Sequence, residues 1–414
     1  MRFKLSLFWF VYMIGLGTFF PFFSLYLHER LGFSGTQVGL VTAVIPLVGL
    51  AAQPLWGHVA DRTGSRRLVL AVISAGVAVG YLVLGFFTDF AGALGGTALL
   101  ASFLTVVLSL ATAVTLGALA APDPEGDREH LGPQAFGRVR LWGTVGFLVG
   151  VVVFPRALEW IPGGGIPDTP WQGLGLLFPI AACASLGAAL IARGLPSSRA
   201  LTIRSQPGDV GRLLRHAPAW KLFLLVFLAH ACLQGPIYLF PLFLTDLGGD
   251  VSTLGSMWIF MLLLEIPLIG YAGATLRKLG PRGVLMMGLV AEAIRWTTCA
   301  LTNDLDLIRA VQLLHGVGVA GIIIGAPLYL EQAVPERLRA TGQALVSAAG
   351  YGAGAIVSNT AAGWLFDHVG PKAPYALAGT GLVVLCLLLY AWLPEPYRPD
   401  SARETEGSES TPRS

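Results

Sequence analysis

Between its second and third long apolar runs the chain reads Gly57-His58-Val59-Ala60-Asp61-Arg62-Thr63-Gly64-Ser65-Arg66-Arg67. The flanking runs 36–56 and 68–87 contain no Asp, Glu, Lys or Arg. Each run has about 20 residues, which is enough for a helix to cross the roughly 30 Å hydrocarbon core of a bilayer. A turn with one acid and three arginines has to lie in water, so the sequence predicts a loop at one membrane face. Cationic loops favour the cytoplasmic face.

The composition indicates that the whole chain, and not only this region, belongs to a membrane protein. Of its 414 residues, 54% are hydrophobic and only 12% are charged, whereas soluble domains carry about 25% charged residues. The net charge of +3 is spread through the loops, which argues against nucleic-acid binding. All four cysteines lie in apolar runs without a metal-ligand or disulfide pattern; they are Cys183, Cys232, Cys299 and Cys386. The sequence therefore predicts an all-α polytopic membrane protein.

The apolar runs predict twelve transmembrane helices. They fall at 6–27, 36–57, 68–88, 93–119, 138–157, 173–193, 218–245, 252–274, 284–302, 307–330, 341–366 and 374–393. The first run is too long for the apolar core of a signal peptide, so it is interpreted as a helix. Alternating the sides from a cytoplasmic N-terminus puts 22 of the 27 basic residues in cytoplasmic segments, as the positive-inside rule requires.

The two halves of the chain repeat the same pattern at an offset of 216 residues. The matches are Leu31-Gly32 with Leu247-Gly248, Gly39 with Gly255, Gly57 with Gly273, Gly64 with Gly280 and Arg66 with Arg282. We therefore predict two pseudo-symmetric six-helix bundles, 1–194 and 217–394, joined by a cytoplasmic linker at 195–216 and followed by a disordered cytoplasmic tail at 395–414. Such repeats typically enclose a substrate site near the membrane midplane.

The turn at 57–67 resembles a motif of the major facilitator superfamily. Six residues match its G-x-x-x-D-R-x-G-x-R-R loop: Gly57, Asp61, Arg62, Gly64, Arg66 and Arg67. The resemblance implies the major facilitator fold and a cytoplasmic gate, to which we add Arg337 and Arg339 because they repeat the Arg138-x-Arg140 pattern. The alternative is an ordinary loop whose arginines only set the topology.

Four ionisable residues lie inside predicted spans, where burial is costly and charge usually marks function. They are Glu265, Glu292, Arg295 and His315, at roughly 10–20 Å from the outer face by helical rise. A carboxylate that loses its arginine partner in a dry site takes up a proton more readily, so this set could couple proton movement to transport. The alternative is a static buried salt bridge, for which Glu292 and Arg295 have the i,i+3 spacing.

Further motifs resemble the branch that contains lactose permease, phenylpropionate permease and the nucleoside:proton symporters. They are Pro21–Leu27, Phe136–Phe147, Leu264-Glu265-Ile266-Pro267, Ile294-Arg295-Trp296 and Leu314-His315-Gly316. The resemblance implies that Glu265, Arg295 and His315 form a substrate and proton site and that Arg140 contacts the substrate. Two departures put lactose in doubt. Gly318 stands where lactose permease has its proton-releasing glutamate, and no acid occurs near Thr115 to partner Arg140.

Other polar and aromatic residues on cavity-prone helices complete the candidate substrate site, although lipid-facing or interfacial packing is the alternative for each aromatic. The set comprises Arg140, Trp142, Tyr12, Gln53, His230, Gln234, Tyr238, Trp258 and Asn359. His230 and Gln234 share a helix face at i,i+4. The two arginines Arg140 and Arg295 would suit either a substrate carboxylate or a neutral polyol.

From these features the sequence predicts a proton-coupled symporter that imports a sugar, a nucleoside or an aromatic acid by alternating access. We expect a monomer in the bacterial inner membrane, with both termini cytoplasmic, no cofactor beyond the proton gradient, no metal and no nucleic-acid partner. A drug/proton antiporter and a non-transporting membrane sensor are the alternatives. A membrane enzyme is disfavoured, because no nucleophile has a partnered base.

Overall fold

The computed structural model describes residues 1–120, 133–159, 173–196, 206 and 208–394. The predicted tail at 395–414 and most of the predicted linker lie outside these ranges. The described chain is almost entirely helical and makes twelve passes. Their bounds are α1 Arg2–Arg30, α2 Gly35–Thr63, α3 Arg66–Gly85, α4 Phe90–Ala120, α5 Pro133–Glu159, α6 Leu177–Arg193, α7 Ala217–Asp246, α8 251–279, α9 281–301, α10 Leu305–Ala333, α11 336–368 and α12 Ala373–Trp392.

Ten of the described helices are long and apolar enough to cross a membrane. Of the other two, α8 qualifies only as the shorter apolar helix Val251–Glu265. The other, α11, is interrupted by the glycine-rich π-helical turn Ala348–Gly354 and opens with charged residues. The polar residues and the glycine-rich turn of α11 suit a helix that faces a wet interior rather than lipid.

The repeat detected in the sequence is visible in the backbone of the turns. Gly64 and Gly280, which end α2 and α8, have φ values of 64° and 67°. Gly32 and Gly248, which precede α2 and α8, have φ values of 71° and 83°. A positive φ favours glycine, so all four glycines occupy backbone positions that favour this residue, although ψ differs between Gly64 at 1° and Gly280 at 170°. The bundle boundaries at 194 and 217 themselves stay a prediction.

Glycines allow the helices to approach backbone to backbone, as is common between membrane helices. Within the first half, a Cβ on Gly146 of α5 would lie 2.2 Å from the Phe10 carbonyl oxygen of α1. Within the second half, one on Gly235 of α7 would lie 2.3 Å from the Ser358 carbonyl oxygen of α11. The halves meet where α2 packs on α11 and α5 packs on α8.

Contacts between helix ends define two faces of the molecule. At the face that holds the Gly64 turn, here called the basic face, Arg67 at the start of α3 donates to the carbonyl of Leu195 after α6. At the opposite face, Tyr26 near the end of α1 packs on Phe178 at the start of α6. Toward the basic face α2 and α5 expose large side chains, including Leu55 at 63% and Trp142 at 51% exposed.

Candidate functional site

Arg295 of α9 is the centre of a buried polar cluster. Its side chain is 1% exposed and its guanidinium lies 4.0 Å from the ring centre of Trp296. Its Nη1 donates to Oε2 of Glu292 at 3.0 Å, one helical turn earlier. The same Nη1 lies 3.1 Å from Nδ1 of His315 on α10. The cluster therefore joins three of the four ionisable residues that the sequence singled out.

Gln312 is a fourth member that the sequence reading missed. Its Oε1 accepts from Nε of Arg295 at 2.7 Å. Its own Nε2 donates to the Ile308 carbonyl oxygen at 3.0 Å, which fixes the amide so that the oxygen faces the arginine. A polar residue one turn before His315 in an apolar span was the available signal. With Gln312, every nitrogen of the Arg295 guanidinium has a neighbour, since Nη2 lies 3.7 Å from Sδ of Met261.

The carboxylate of Glu292 fills the space beside Gly318. A Cβ on Gly318 would lie 2.2 Å from Oε1 of Glu292 and 2.7 Å from its carboxyl carbon. Glu292 reaches this space from α9, while Gly318 lies on α10, one turn after His315. The space that a side chain at position 318 would need is thus occupied by a carboxylate from the neighbouring helix.

The cluster forms one wall of a cavity with about 420 Å³ of open space. The facing wall is built from α7 and α11 by His230, Gln234 and Tyr351. His230 donates through Nδ1 to the carbonyl of Val226 at 2.9 Å and packs edge-on against Tyr351. The predicted shared face of His230 and Gln234 therefore lines the same cavity as Glu292, Arg295 and His315.

Glu265 lies outside this cluster. Its helix, α8, packs so closely on α10 that a Cβ on Gly316 would lie 2.5 Å from the Glu265 backbone nitrogen. The side chain is half-buried and does not line the cavity. It lies instead within electrostatic range of Arg140. The resemblance grouped Glu265 with Arg295 and His315, whereas the structure pairs it at a distance with an arginine of the other half.

Arg140 of α5 is held by an aromatic ring and not by an acid. Its guanidinium lies 4.6 Å from the ring centre of Trp9 on α1. Trp9 is in turn fixed by a hydrogen bond from its Nε1 to Oγ1 of Thr115 at 3.1 Å. Nη1 of Arg140 is buried without a hydrogen-bond partner. Thr115 lies in the region where the sequence has no acid to partner Arg140. Its hydroxyl instead fixes the Trp9 ring on which the arginine stacks.

Several other predicted substrate residues share this lack of partners. The buried polar atoms without a partner include the hydroxyl of Tyr12, Nε1 of Trp258 and both side-chain amide atoms of Asn359. Phe20 contacts both Trp258 and Tyr238, so these rings join the two halves. Buried polar groups are nearly always hydrogen-bonded, which makes this set a candidate for contact with a bound molecule. Gln53 and Trp142 are exposed.

The predicted gate residues lie at the basic face. Asp61 forms an ion pair with Arg66 at 2.8 Å, within its own turn. Arg337 at the start of α11 pairs with Asp209 at 2.5 Å, a buried residue of the short helix Asp209–Arg215 that the sequence reading did not identify. Gly57, Arg62, Gly64 and Arg339 are exposed. The gate residues thus contact their own turn or the linker.

This twelve-pass helical fold, with ionisable side chains lining a cavity inside the second half, is that of a membrane transporter and not of an enzyme. Residues 2–377 match the model of the MFS_1 like family, so the chain belongs to that family of the major facilitator superfamily. It is 30% identical to the maltose permease of Geobacillus stearothermophilus, over 92% of this chain and 93% of that one. It is 25% identical to the raffinose permease of Escherichia coli, over 90% and 88% of the two chains.

The fold is also that of a solved transporter. A crystal structure of the nucleoside transporter NupG superposes with a TM-score of 0.82 at 18% identity, covering 95% of this chain and 100% of that one. The predicted fold class and family are therefore confirmed. The chain is a multi-pass membrane transporter for small molecules.

Proposed function

We propose that this protein is a proton-coupled symporter that imports a sugar or a nucleoside. The observation that carries the proposal is the buried Glu292–Arg295–His315 cluster in the wall of a cavity. Burying ionisable groups inside a membrane costs free energy, so such groups usually mark proton or substrate pathways. The names of the maltose and raffinose permeases support a sugar, and a nucleoside or an aromatic acid is the next substrate to test.

His315 gives the cluster two arrangements. When the ring is neutral with its proton on Nε2, Nδ1 accepts from Nη1 of Arg295 at 3.1 Å. When Nδ1 carries a proton, it can no longer accept, and Oε1 of Glu292 lies 3.5 Å away as an acceptor. Protonation therefore turns His315 from the arginine toward the carboxylate. This exchange of partners is the switch that we assign to proton coupling, as opposed to a static salt bridge.

The substrate would bind between the halves, where buried polar groups lack a hydrogen-bond partner. Arg140 offers a guanidinium stacked on Trp9, and hydroxyl-rich solutes can accept from it. Aromatic faces such as Trp9 suit sugar rings and nucleobases alike, because both present apolar faces. Glu265 lies within electrostatic range of Arg140 and would accept hydrogen bonds from the same substrate. Its role in proton coupling stays a prediction from the sequence.

Transport would proceed by alternating access, with the halves rocking around this site. The distribution of basic residues supports cytoplasmic termini in the bacterial inner membrane, which makes the basic face the cytoplasmic one. The ion pair of Asp61 with Arg66 and that of Arg337 with Asp209 would then stiffen the cytoplasmic ends of the helices as they move. We further propose a monomer with no cofactor.

Uptake into proteoliposomes tests the proposal. Maltose, raffinose, nucleosides and aromatic acids are offered with an imposed pH gradient, acidic outside, and then without it. We expect accumulation of one class above its external concentration only with the gradient. Accumulation with the reversed gradient would indicate an antiporter, and binding without flux would indicate a sensor; either result overturns the proposal.

A further inference from the structure

We propose that Asp367 is a latch that holds the two halves together at the face opposite the basic face. The residue lies near the end of α11, in the second half. Its Oδ1 accepts from the backbone N–H of Gly35 at 2.8 Å, and its Oδ2 accepts from that of Thr36 at 2.7 Å. Gly35 and Thr36 begin α2, in the first half. One carboxylate thus links backbone groups more than 300 residues away in the chain.

Helix α2 does not need this carboxylate in order to begin. Ser34 already forms a capping box, in which its Oγ accepts from the N–H of Gln37 and the Gln37 side chain accepts from the N–H of Ser34. A capping box satisfies the helix start locally. Asp367 accepts from the two N–H groups that this local cap does not satisfy. Its hydrogen bonds therefore stabilise the contact between the halves.

The helices approach closely around the latch. A Cβ on Gly39 of α2 would lie 2.4 Å from the Asn359 carbonyl oxygen, and one on Gly363 of α11 would lie 2.4 Å from that of Gly35. Oγ1 of Thr36 also donates to the Gly363 carbonyl at 3.4 Å. The two backbones are in direct contact, so this end of the interface is shut while the Asp367 bonds persist.

The charge of Asp367 is balanced by backbone groups. In the described part of the chain, no basic side chain forms an ion pair with it, and the neighbouring His368 donates to the carbonyl of Trp364 instead. The positive end of the α2 dipole favours a carboxylate at this point. When the halves separate, water at the membrane edge can replace the carboxylate on the two N–H groups, so the latch can open at modest cost.

Asp250 provides a matched control at the same face. It begins α8, and its Oδ1 accepts from the N–H and the Oγ1 of Thr253, both at 2.7 Å. This is the same chemistry, a carboxylate on the first turn of a helix, but both partners belong to one half. Asp250→Asn removes the charge of a helix cap while its amide oxygen can still accept from the Thr253 N–H, and it does not touch the joint between the halves.

The inference rests on the alternating access of the proposed function, and a distance measurement tests it without substrate. The four cysteines are replaced by serine, and Thr88→Cys and Asn303→Cys, both exposed at the opposite face, receive spin labels. Dipolar spectroscopy in nanodiscs then reports the separation of the halves. Asp367→Asn places an N–H₂ group where one carboxylate oxygen accepts, so the ratio of separated to closed molecules should rise about five- to tenfold.

Asp250→Asn should leave the distance distribution unchanged, and Asp367→Ala should reproduce the effect of Asp367→Asn. Thermal unfolding of each variant identifies general loss of structure. If Asp367→Asn and Asp367→Ala give the same distances as Asp250→Asn, the latch is refuted. A longer distance in the Asp367 variants without any substrate uptake would instead retain the latch and refute the symporter.

Discussion

The buried Arg295 and the half-buried Arg140 differ in how fully they are paired. Arg295 in the second half contacts a carboxylate, a histidine, an amide and a thioether. Arg140 in the first half stacks on one aromatic ring and leaves Nη1 without a hydrogen bond. A buried charge is costly unless it is paired. Under the proposed function this difference divides the tasks, so that the second half would handle the proton and the first half would bind the substrate.

The largest effect is expected from Glu292→Gln. The amide cannot exchange a proton with His315, so uptake driven by a pH gradient should fall at least about 100-fold, as on removal of a proton-carrying group. Substrate counterflow, which needs no net proton movement, should persist. Glu265→Gln in the same assay decides whether Glu265 shares the task, and equal losses in both variants would contradict the assignment of the proton to the Glu292–Arg295–His315 cluster without Glu265.

The next effect is expected from Arg140→Gln. Losing a hydrogen bond from a charged donor costs about 1.5–3 kcal/mol, so substrate affinity should weaken roughly tenfold to 100-fold. Thermal unfolding should hardly change, because no buried acid loses its partner. Binding is measured by isothermal calorimetry with the substrate found by uptake. Unchanged affinity would place the substrate away from Arg140.

Arg295→Gln should behave in the opposite way and lower stability. It leaves the carboxylate of Glu292 buried without its ion-pair partner, which typically costs about 3–5 kcal/mol. The double variant Glu292→Gln/Arg295→Gln removes both charges and should recover much of this loss. Thermal unfolding in detergent compares the three proteins. Equal unfolding temperatures for Arg295→Gln and Arg140→Gln would remove the contrast between the two arginines.

A smaller effect is expected from Gly318→Ala. The new Cβ needs the space of the Glu292 carboxylate, so overpacking should cost about 1–3 kcal/mol of stability. Gly137→Ala on α5 is the control, because a Cβ there meets nothing within 4 Å. The pH dependence of uptake should change in Gly318→Ala only. Identical profiles for the two variants would mean that Glu292 does not need this space.

Much of the fold could be predicted, because the lengths of the apolar runs and the 216-residue repeat can both be read directly from the sequence. The ion pair of Glu292 with Arg295 was also within reach, since i,i+3 spacing on a helix brings side chains together. Gln312 was missed because one amide in an apolar span resembles ordinary packing. Asp367 was missed for a different reason. Its partners are backbone N–H groups of a distant helix, and nothing in the residues nearby indicates them.

The stacking of Arg140 on Trp9 also could not be predicted from the sequence. The absence of an acid near Thr115 could be read from the residues, but the replacement of that acid by an aromatic ring could not. Side chains from α1, α4 and α5 have to converge for it to form. The position of Glu265, near Arg140 and apart from Arg295, likewise depends on the packing of α8 against α10.

Proton movement during substrate entry tests the division of tasks most directly. A pH-sensitive dye inside proteoliposomes follows the internal pH when substrate is added outside without an imposed gradient. The wild-type protein should acidify the interior as substrate enters, and Glu292→Gln should exchange substrate without acidification. Acidification by Glu292→Gln at the wild-type rate would contradict the assignment of the proton to the Glu292–Arg295–His315 cluster.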